Sequence, residues 1–373
     1  MEQAKAPSLT YQGSGVDYEQ MDPAKRAAQI CALTTADNLA HHGMREVPWS
    51  RGESVYLTEE DDRYNGHVEE GLGTKNRVAE AMRRLTGQLS FNLIAQDLLA
   101  MIVNDMITLG VMPVTVAMHL AAGSSDWFAD EPRVANLMEG FAEACDIARC
   151  TWGCGEMPTL KVLVHPDFPV LAGSAAGIIK PKSRLIDPRN LRDGDVITFL
   201  PSTGIHANGL TLAQQIAESL PDGYLTDIGN GQTYGDALLV PTPIYVPVLD
   251  DLLGAGIVPH YTVNVTGHAW RKLERATEPF VYVIHAVPEV PPVLQFIQHH
   301  GNLTNEEAYG NLNMGAGFAL FLAQNDVRAA SDVVRRHGME LFNAGYVTKR
   351  GDLKAVEILP LDLTFDAESL KVR

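Results

Sequence analysis

The most apolar stretch of the chain runs over 98–122, and it is long enough to consider as a membrane span. Asn104 and Asp105 lie inside it, however, and Pro113 interrupts it. Charge is costly in hydrocarbon, and proline removes a backbone donor, so a buried helix followed by a buried strand is the better reading. The helix is predicted over 91–109, with Gly110 as its stop. The strand is predicted over 114–118, where Val-Thr-Val supplies β-branched residues. Asp97 and Asp105 stand eight residues apart on that helix, about two turns, so both carboxylates share one face beside Asn104. Acidic groups in so apolar a helix are costly to bury unless paired or metal-bound.

Elsewhere the chain reads as ordinary globular protein. Its 373 residues suggest two domains, and 46% hydrophobic with 20% charged residues excludes a disordered or collagen-like chain. Lys and Arg total 29 against 46 Asp and Glu, a net charge of −17. Such a surface repels phosphate backbones and anionic lipid, so neither nucleic acid nor membrane is an expected partner. A small phosphorylated ligand remains compatible, because a few local basic groups and backbone N–H groups override the global field. The first fifteen residues have no apolar core, and four cysteines make no disulfide framework; a soluble, cytoplasmic protein is expected.

Asp22-Pro23 reads as an N-cap before a helix carrying Ala24, Ala27, Ile30 and Leu33. Residues 36–68 read as a long polar loop with one short strand near 55–57. A helix over 132–149 presents Val134, Leu137, Met138, Phe141 and Cys145 on one face. A strand over 170–179 is taken to lead away from this first unit, which divides the chain into domains 1–171 and 172–373. Strands and helices then alternate: strand 196–200 with helix 210–220, strand 261–265 with a helix, and strand 318–323 with helix 326–337, closed by Gly338. The expected fold class is α/β, with mixed α+β character.

Three segments carry chemistry. Glu70-Gly71-Leu72-Gly73-Thr74-Lys75 sets a carboxylate, two glycines, a hydroxyl and a lysine within six residues. That combination suits a phosphate with Mg²⁺ or an ordinary polar turn, and it is not the P-loop spacing. Asp97, Asn104 and Asp105 suit a metal or nucleotide, or else solvated helix-end charges. Ser202 to Gly209, with His206 and Asn208, lies between a strand and a helix, where α/β sheets bind ligands and helix N-termini favour anions. Cys145, Cys150 and Cys154 lack the matched second pair that a zinc site needs, although His119 and His165 are near in sequence. His41-His42 and His299-His300 have no ligand spacing and read as surface residues.

These residues, taken in order, resemble the phosphoribosylformylglycinamidine cyclo-ligase (AIR synthase) family. Tyr11–Asp17 matches Y-x-x-A-G-V-D, residues 70–75 match D-G-V-G-T-K, and 97–105 match D-L-V-A-M-x-V-N-D. Glu156-Met157-Pro158 ends the family's G-G-E-T-A-E-M-P, and Ala172, Gly173 and Gly177 fit A-G-x-x-x-G. Residues 202–212 match S-S-G-x-H-S-N-G-Y-S-L, and 241–246 match P-T-R-I-Y-V. Thr266-Gly267 begins T-G-G-G, and 313–317 match N-x-G-x-G. The resemblance implies a two-domain fold that forms a homodimer through the sheets of its N-terminal domains. It implies ATP-dependent closure of formylglycinamidine ribonucleotide to aminoimidazole ribonucleotide, in purine biosynthesis. By the same resemblance, Glu70, Asp97 and Asp105 would hold Mg²⁺. Gly71, Gly73, Thr74, Lys75, Asp97, Asn104 and Gly209 would contact ATP, and Lys75, His206 and Asn208 would act on the substrate.

The chain also departs from the family pattern. A family carboxylate falls on Gly153, the arginine of P-T-R is Pro243, and the second and third glycines of T-G-G-G are His268 and Ala269. The glycine-rich segment expected before Glu70 is absent, since 40–69 holds only Gly43, Gly52 and Gly66. Two rival readings follow: a superfamily paralogue phosphorylating another substrate, and a non-catalytic dimeric paralogue.

Overall fold

The first half alternates buried and half-exposed residues along its strands, which lays one sheet against helices on one side only. A computed structural model describes residues 18–229 and 231–370; the Tyr11–Asp17 match lies outside them. In chain order the first unit contains α1 (Tyr18–Leu33), β1 (Arg45–Glu46), β2 (Tyr56–Glu59), β3 (Tyr64–Gly71), α2 (Lys75–Thr86), α3 (Phe91–Met106), β4 (Met112–Ala121), α4 (Glu131–Ile147), β5 (Thr151–Glu156) and β6 (Val170–Ile179). The sheet order is β1-β2-β3-β6-β4-β5, antiparallel except for the parallel pair β4–β5.

The 91–109 prediction holds: α3 continues through a 3₁₀ turn to Leu109, and Gly110 ends it at φ 85°. Phe91–Leu109 is the one helical stretch among the described residues long and apolar enough to cross a membrane, and 78% of it is buried inside the fold. It packs on β3, β6 and β4. Close approach depends on Gly173, where a Cβ would stand 2.9 Å from Ile102 Cδ1 and 2.5 Å from the Ala117 carbonyl.

Three expectations are corrected. The first helix begins before Asp22, so Asp22 is no cap and Pro23 lies within the helix; the Asp22 carboxylate pairs with Lys25 at 3.0 Å. Residues 36–68 hold more than the expected loop: β2 covers most of the strand expected near 55–57, but a 3₁₀ turn (Ala36–His42) and the β2–β3 hairpin take the place of the loop around it. Its turn is closed by side chains, Glu60 accepting from Arg63 at 3.0 Å and Asn65 at 2.8 Å. The strand at 170–179 does not leave the first unit. It is an inner strand, paired with both β3 and β4, so a boundary at 172 would cut through it.

The second unit contains β7 (Val196–Pro201), α5 (Leu210–Ser219), α6 (Tyr234–Leu239), α7 (Val246–Gly254), β8 (Tyr261–Asn264), β9 (Val281–Ile284), α8 (Pro292–His300), α9 (Asn305–Asn311), β10 (Ala316–Leu322), α10 (Val327–Arg336), β11 (Phe342–Thr348), β12 (Ala355–Ile358) and β13 (Leu363–Asp366). The sheet order is β13-β12-β9-β11-β7-β10-β8, with β12–β9 its one parallel pair. All residues of β8, β9 and β10 are buried, as expected of strands covered on both faces. Sequence alternation of strand and helix is thus real, while most strand pairing is antiparallel.

Candidate functional site

The turn from β3 into α2 is built by Gly71 and Gly73, the latter at φ 76°, and leads to Thr74 and Lys75. Gln214 of α5 donates to the Thr74 carbonyl at 2.9 Å and to its hydroxyl at 3.1 Å, which ties the turn to the second unit. Lys75 is fully buried. Its amino group pairs with Asp97 Oδ2 at 2.6 Å and donates to the Val240 carbonyl at 2.9 Å. Asp97 Oδ1 accepts from the Thr242 N–H at 2.9 Å and from its hydroxyl at 2.5 Å. Burial pushes the Lys75 amine down and the Asp97 carboxyl up, and their mutual attraction opposes both shifts.

One side of α3 therefore forms the seam between the units. Asn104 Nδ2 donates to the Pro243 carbonyl, and Asn104 Oδ1 accepts from the Tyr245 N–H, each at 2.9 Å. Gln96 donates to the Thr242 carbonyl at 2.9 Å. The expected convergence of Asp97 with Asp105 and Glu70 does not occur. Eight residues of helix separate the two aspartates by about 12 Å, and Asp97 is consumed by Lys75 and Thr242. Lys75, Asp97 and Asn104, all fully buried, thus hold the units together.

A cavity of about 410 Å³ opens where the units meet. Glu70 reaches it from the end of β3, Asp105 from α3, and Asn208 from the loop after β7. Asn264 and Thr266 come from the end of β8, and Lys272 and Arg275 from the 3₁₀ segment that follows. Met21 and Lys25 of α1 complete one wall. Asp105 Oδ1 accepts from Asn264 Nδ2 at 2.7 Å. Burial, then the neighbouring Asp105 charge, pushes the Glu70 carboxyl up to about 7. Burial, then repulsion by Arg275, brings Lys272 down to about 8.

The 202–209 loop divides in two. Asn208 faces the cavity and Gly209 starts α5 at φ 85°, but His206 is buried and absent from the cavity wall. Its Nε2 accepts from the Thr203 N–H at 3.4 Å, and burial, reinforced by Lys75, holds the ring neutral, down to about 3. His206 shapes the loop and does not reach the cavity. His268 and Ala269 adopt φ 62° and 44°, so this loop keeps a left-handed path without glycine. His268 lines the cavity, 3.7 Å from Asp22.

Among the described residues no set of three His, Cys, Asp or Glu side chains is arranged to hold a metal ion. The set Glu70, Asp97 and Asp105 reduces to Glu70 and Asp105. Cys145 is buried, and Cys154 is exposed on β5. The two histidine doublets are exposed. Gly153 sits at a bulge in β5 with open space around it, away from the cavity. Sequence reasoning missed Asn264, Lys272 and Arg275. Their one signal was position, on either side of Thr266-Gly267.

Comparison with known proteins then identifies the lineage. Residues 70–179 match the family described as AIR synthase related protein, N-terminal domain. The phosphoribosylformylglycinamidine cyclo-ligase of Methanococcoides burtonii is 32% identical over 328 residues, covering 87% of this chain and 92% of that protein. That of Carboxydothermus hydrogenoformans is 31% identical, covering 91% and 96%. The structure titled T. maritima PurL complexed with ATP shares the fold at TM-score 0.56 and 13% identity, over 86% of this chain and 46% of that one. At more than 30% identity over about nine-tenths of its length, the chain belongs to the phosphoribosylformylglycinamidine cyclo-ligase family of AIR synthase-related proteins.

Proposed function

We propose that this chain is an ATP-dependent cyclo-ligase that converts formylglycinamidine ribonucleotide to aminoimidazole ribonucleotide, ADP and phosphate. The observation that carries this reading is the similarity along nearly the whole length of relatives bearing that name. ATP would phosphorylate the formamide oxygen, making it a good leaving group. The amidine nitrogen would attack that carbon, and the C–O bond would break with release of phosphate. Positioning and charge screening are the protein's main contributions to such chemistry.

Within this reading, Lys75–Asp97 is a positioning pair that holds the 70–75 turn against the second unit. His206 fixes the loop from which Asn208 reaches the cavity, Gly71 and Gly73 would leave room for a close ligand at the turn, and Gly209 is packed against Leu312 at the start of α5. Glu70 and Asp105 fit Mg²⁺, which is commonly held by one or two carboxylates together with substrate phosphates. Asn264 would orient the Asp105 carboxylate. When bound, Mg²⁺ would neutralise charge on the transferring phosphoryl group. The first unit, ending at Ile179, would carry the nucleotide and the dimer contact, and the second unit would close the cavity. A second reading, phosphorylation of another substrate, is favoured by His268 and Lys272 standing in the cavity wall.

Coupled phosphate release with and without formylglycinamidine ribonucleotide tests the reading. Release is expected to require both ATP and that substrate. Folded protein showing no substrate-stimulated release at any Mg²⁺ concentration would sink it.

A further inference from the structure

Helix α4 ends at Ile147, and the chain turns at once into β5. Two backbone hydrogen bonds close the turn. The Arg149 N–H donates to the Asp146 carbonyl at 3.1 Å, and the Cys150 N–H donates to the Cys145 carbonyl at 3.0 Å. With Arg149 left-handed at φ 57°, this is a Schellman motif, whose outer bond brings the side chains at its two ends together. Here those ends are Cys145 and Cys150. The same bond draws their Cα atoms within the roughly 7 Å that a disulfide can span. An arginine is less at ease than glycine in the left-handed region. Arg149 is held there by ion pairs with Asp250 at 2.6 Å and Asp251 at 3.6 Å, both on α7 of the second unit.

The two thiols stand in hydrogen-bond contact and differ in character. Cys145 is 3% exposed and lies one turn beyond Phe141, whose ring meets Trp152 edge-on at 5.0 Å. Cys150 is half-buried, which leaves it open to a small oxidant. The hydrogen bond from Cys145 holds the Cys150 thiol below its ordinary range, and the same bond, with burial, pushes Cys145 up. The thiolate is the nucleophile, so Cys150 is the attacking sulfur and Cys145 the resolving one. Cys31 on α1 and Cys154 on β5 are more exposed than either.

We propose that Cys145 and Cys150 are a site of reversible oxidation by hydroperoxides, closing to a disulfide across the turn between α4 and β5. The Cys150 sulfur attacks the hydroperoxide and its O–O bond breaks. Cys150 becomes a sulfenic acid, and the other oxygen leaves as an alcohol, or as water when the oxidant is hydrogen peroxide. The Cys145 sulfur then attacks the sulfenic sulfur. The S–S bond forms, the S–O bond breaks, and the hydroxide leaves with the Cys145 proton as water. Two thiols lose two electrons, and one peroxide bond gains them. The disulfide pins the end of α4 to β5 and fixes the turn that carries Arg149 to the second unit. The site does not depend on the cyclo-ligase reading.

The full chain, reduced and freed of reductant, is treated with one equivalent of hydrogen peroxide, quenched with iodoacetamide in guanidinium and mapped by tryptic peptide mass spectrometry. Cleavage after Arg149 separates the two cysteines, so a bond between them appears as a cross-link. The expected product is that cross-link, two hydrogens lighter than the reduced pair, with Cys31 and Cys154 alkylated. Dithiothreitol is expected to return both thiols. Cys150→Ser is expected to abolish the cross-link and to leave Cys145 alkylatable. Cys145→Ser keeps a hydrogen-bond donor and removes the resolving thiol, so Cys150 is expected to stop at the sulfenic acid and be captured by dimedone. Peroxide consumed at Cys31 or Cys154, while Cys145 and Cys150 remain alkylatable, would mean that exposure alone governs oxidation and overturns the proposal. So does folded Cys145→Ser that gives no dimedone adduct at Cys150. Should Cys145→Ser fail to fold, the wild-type peptide map and Cys150→Ser decide.

Discussion

His206 shows how a residue suited to catalysis by sequence becomes structural by burial. The strand-to-helix loop made a ligand contact reasonable, but the ring is buried, accepts from Thr203 within its own loop and stays neutral. A pH dependence of stability follows. The folded ring is depressed to about 3 from the ordinary 6.5. The unfolded chain therefore takes up a proton as pH falls below 6.5, while the folded chain does not until near 3. Stability from this residue is fully present above 6.5 and is lost as pH falls through that window. Melting temperatures of wild type and His206→Gln between pH 7.5 and 4.5 are expected to converge toward acid. A parallel offset across the range would refute this account. Lys272 is the converse case: nothing in local sequence marks it, and its meaning comes from segments distant in the chain.

At the scale of elements, α3 was legible because its apolar residues demand burial and Gly110 ends it. Its polar residues were legible as unusual but not as to purpose. A shared helix face suggested one ligand, whereas the tertiary arrangement laid that face along α2 and the 240–245 segment. The Lys75–Asp97 pair is predicted to be a strong stability determinant. Asp97→Asn leaves a buried ammonium without its counter-charge and is expected to destabilise by about 3–5 kcal/mol. Replacing both partners, Lys75→Met with Asp97→Leu, is expected to recover most of that loss. Urea unfolding of the single and double variants measures both. Equal losses in single and double variants would argue against charge imbalance as the cause. Of the β2–β3 hairpin the sequence showed only a strand near 55–57; β3 and the pairing escaped it because the turn is a run of four charged residues and only one face of β2 and β3 is buried.

For the whole molecule, the first sheet is covered by α3 and α4 on one face. Its other face presents Val170, 49% exposed, and exposed Ala176 along β6, with Val114, 45% exposed, on β4. This supports the proposed homodimer, since a sheet face of this kind normally packs against another layer. Light scattering at micromolar concentration is expected to give twice the chain mass, and Val170→Asp with Ala176→Asp to give the monomer. A monomeric wild type would remove the dimer from the reading. What the sequence determined by itself were the elements whose periodicity sets local burial: α3, β4, α4, β7, α5 and β10. Its ordered motifs also carried the family and the positions of Glu70, Asp105 and Asn208. The inner position of β6 came with folding, since strand order depends on pairing partners far apart in the chain. Folding likewise separated Asp97 from Asp105 and brought Lys272, Arg275 and Asn264 to the carboxylates, because burial and charge pairing are set by what packs across the seam and not by spacing along the chain.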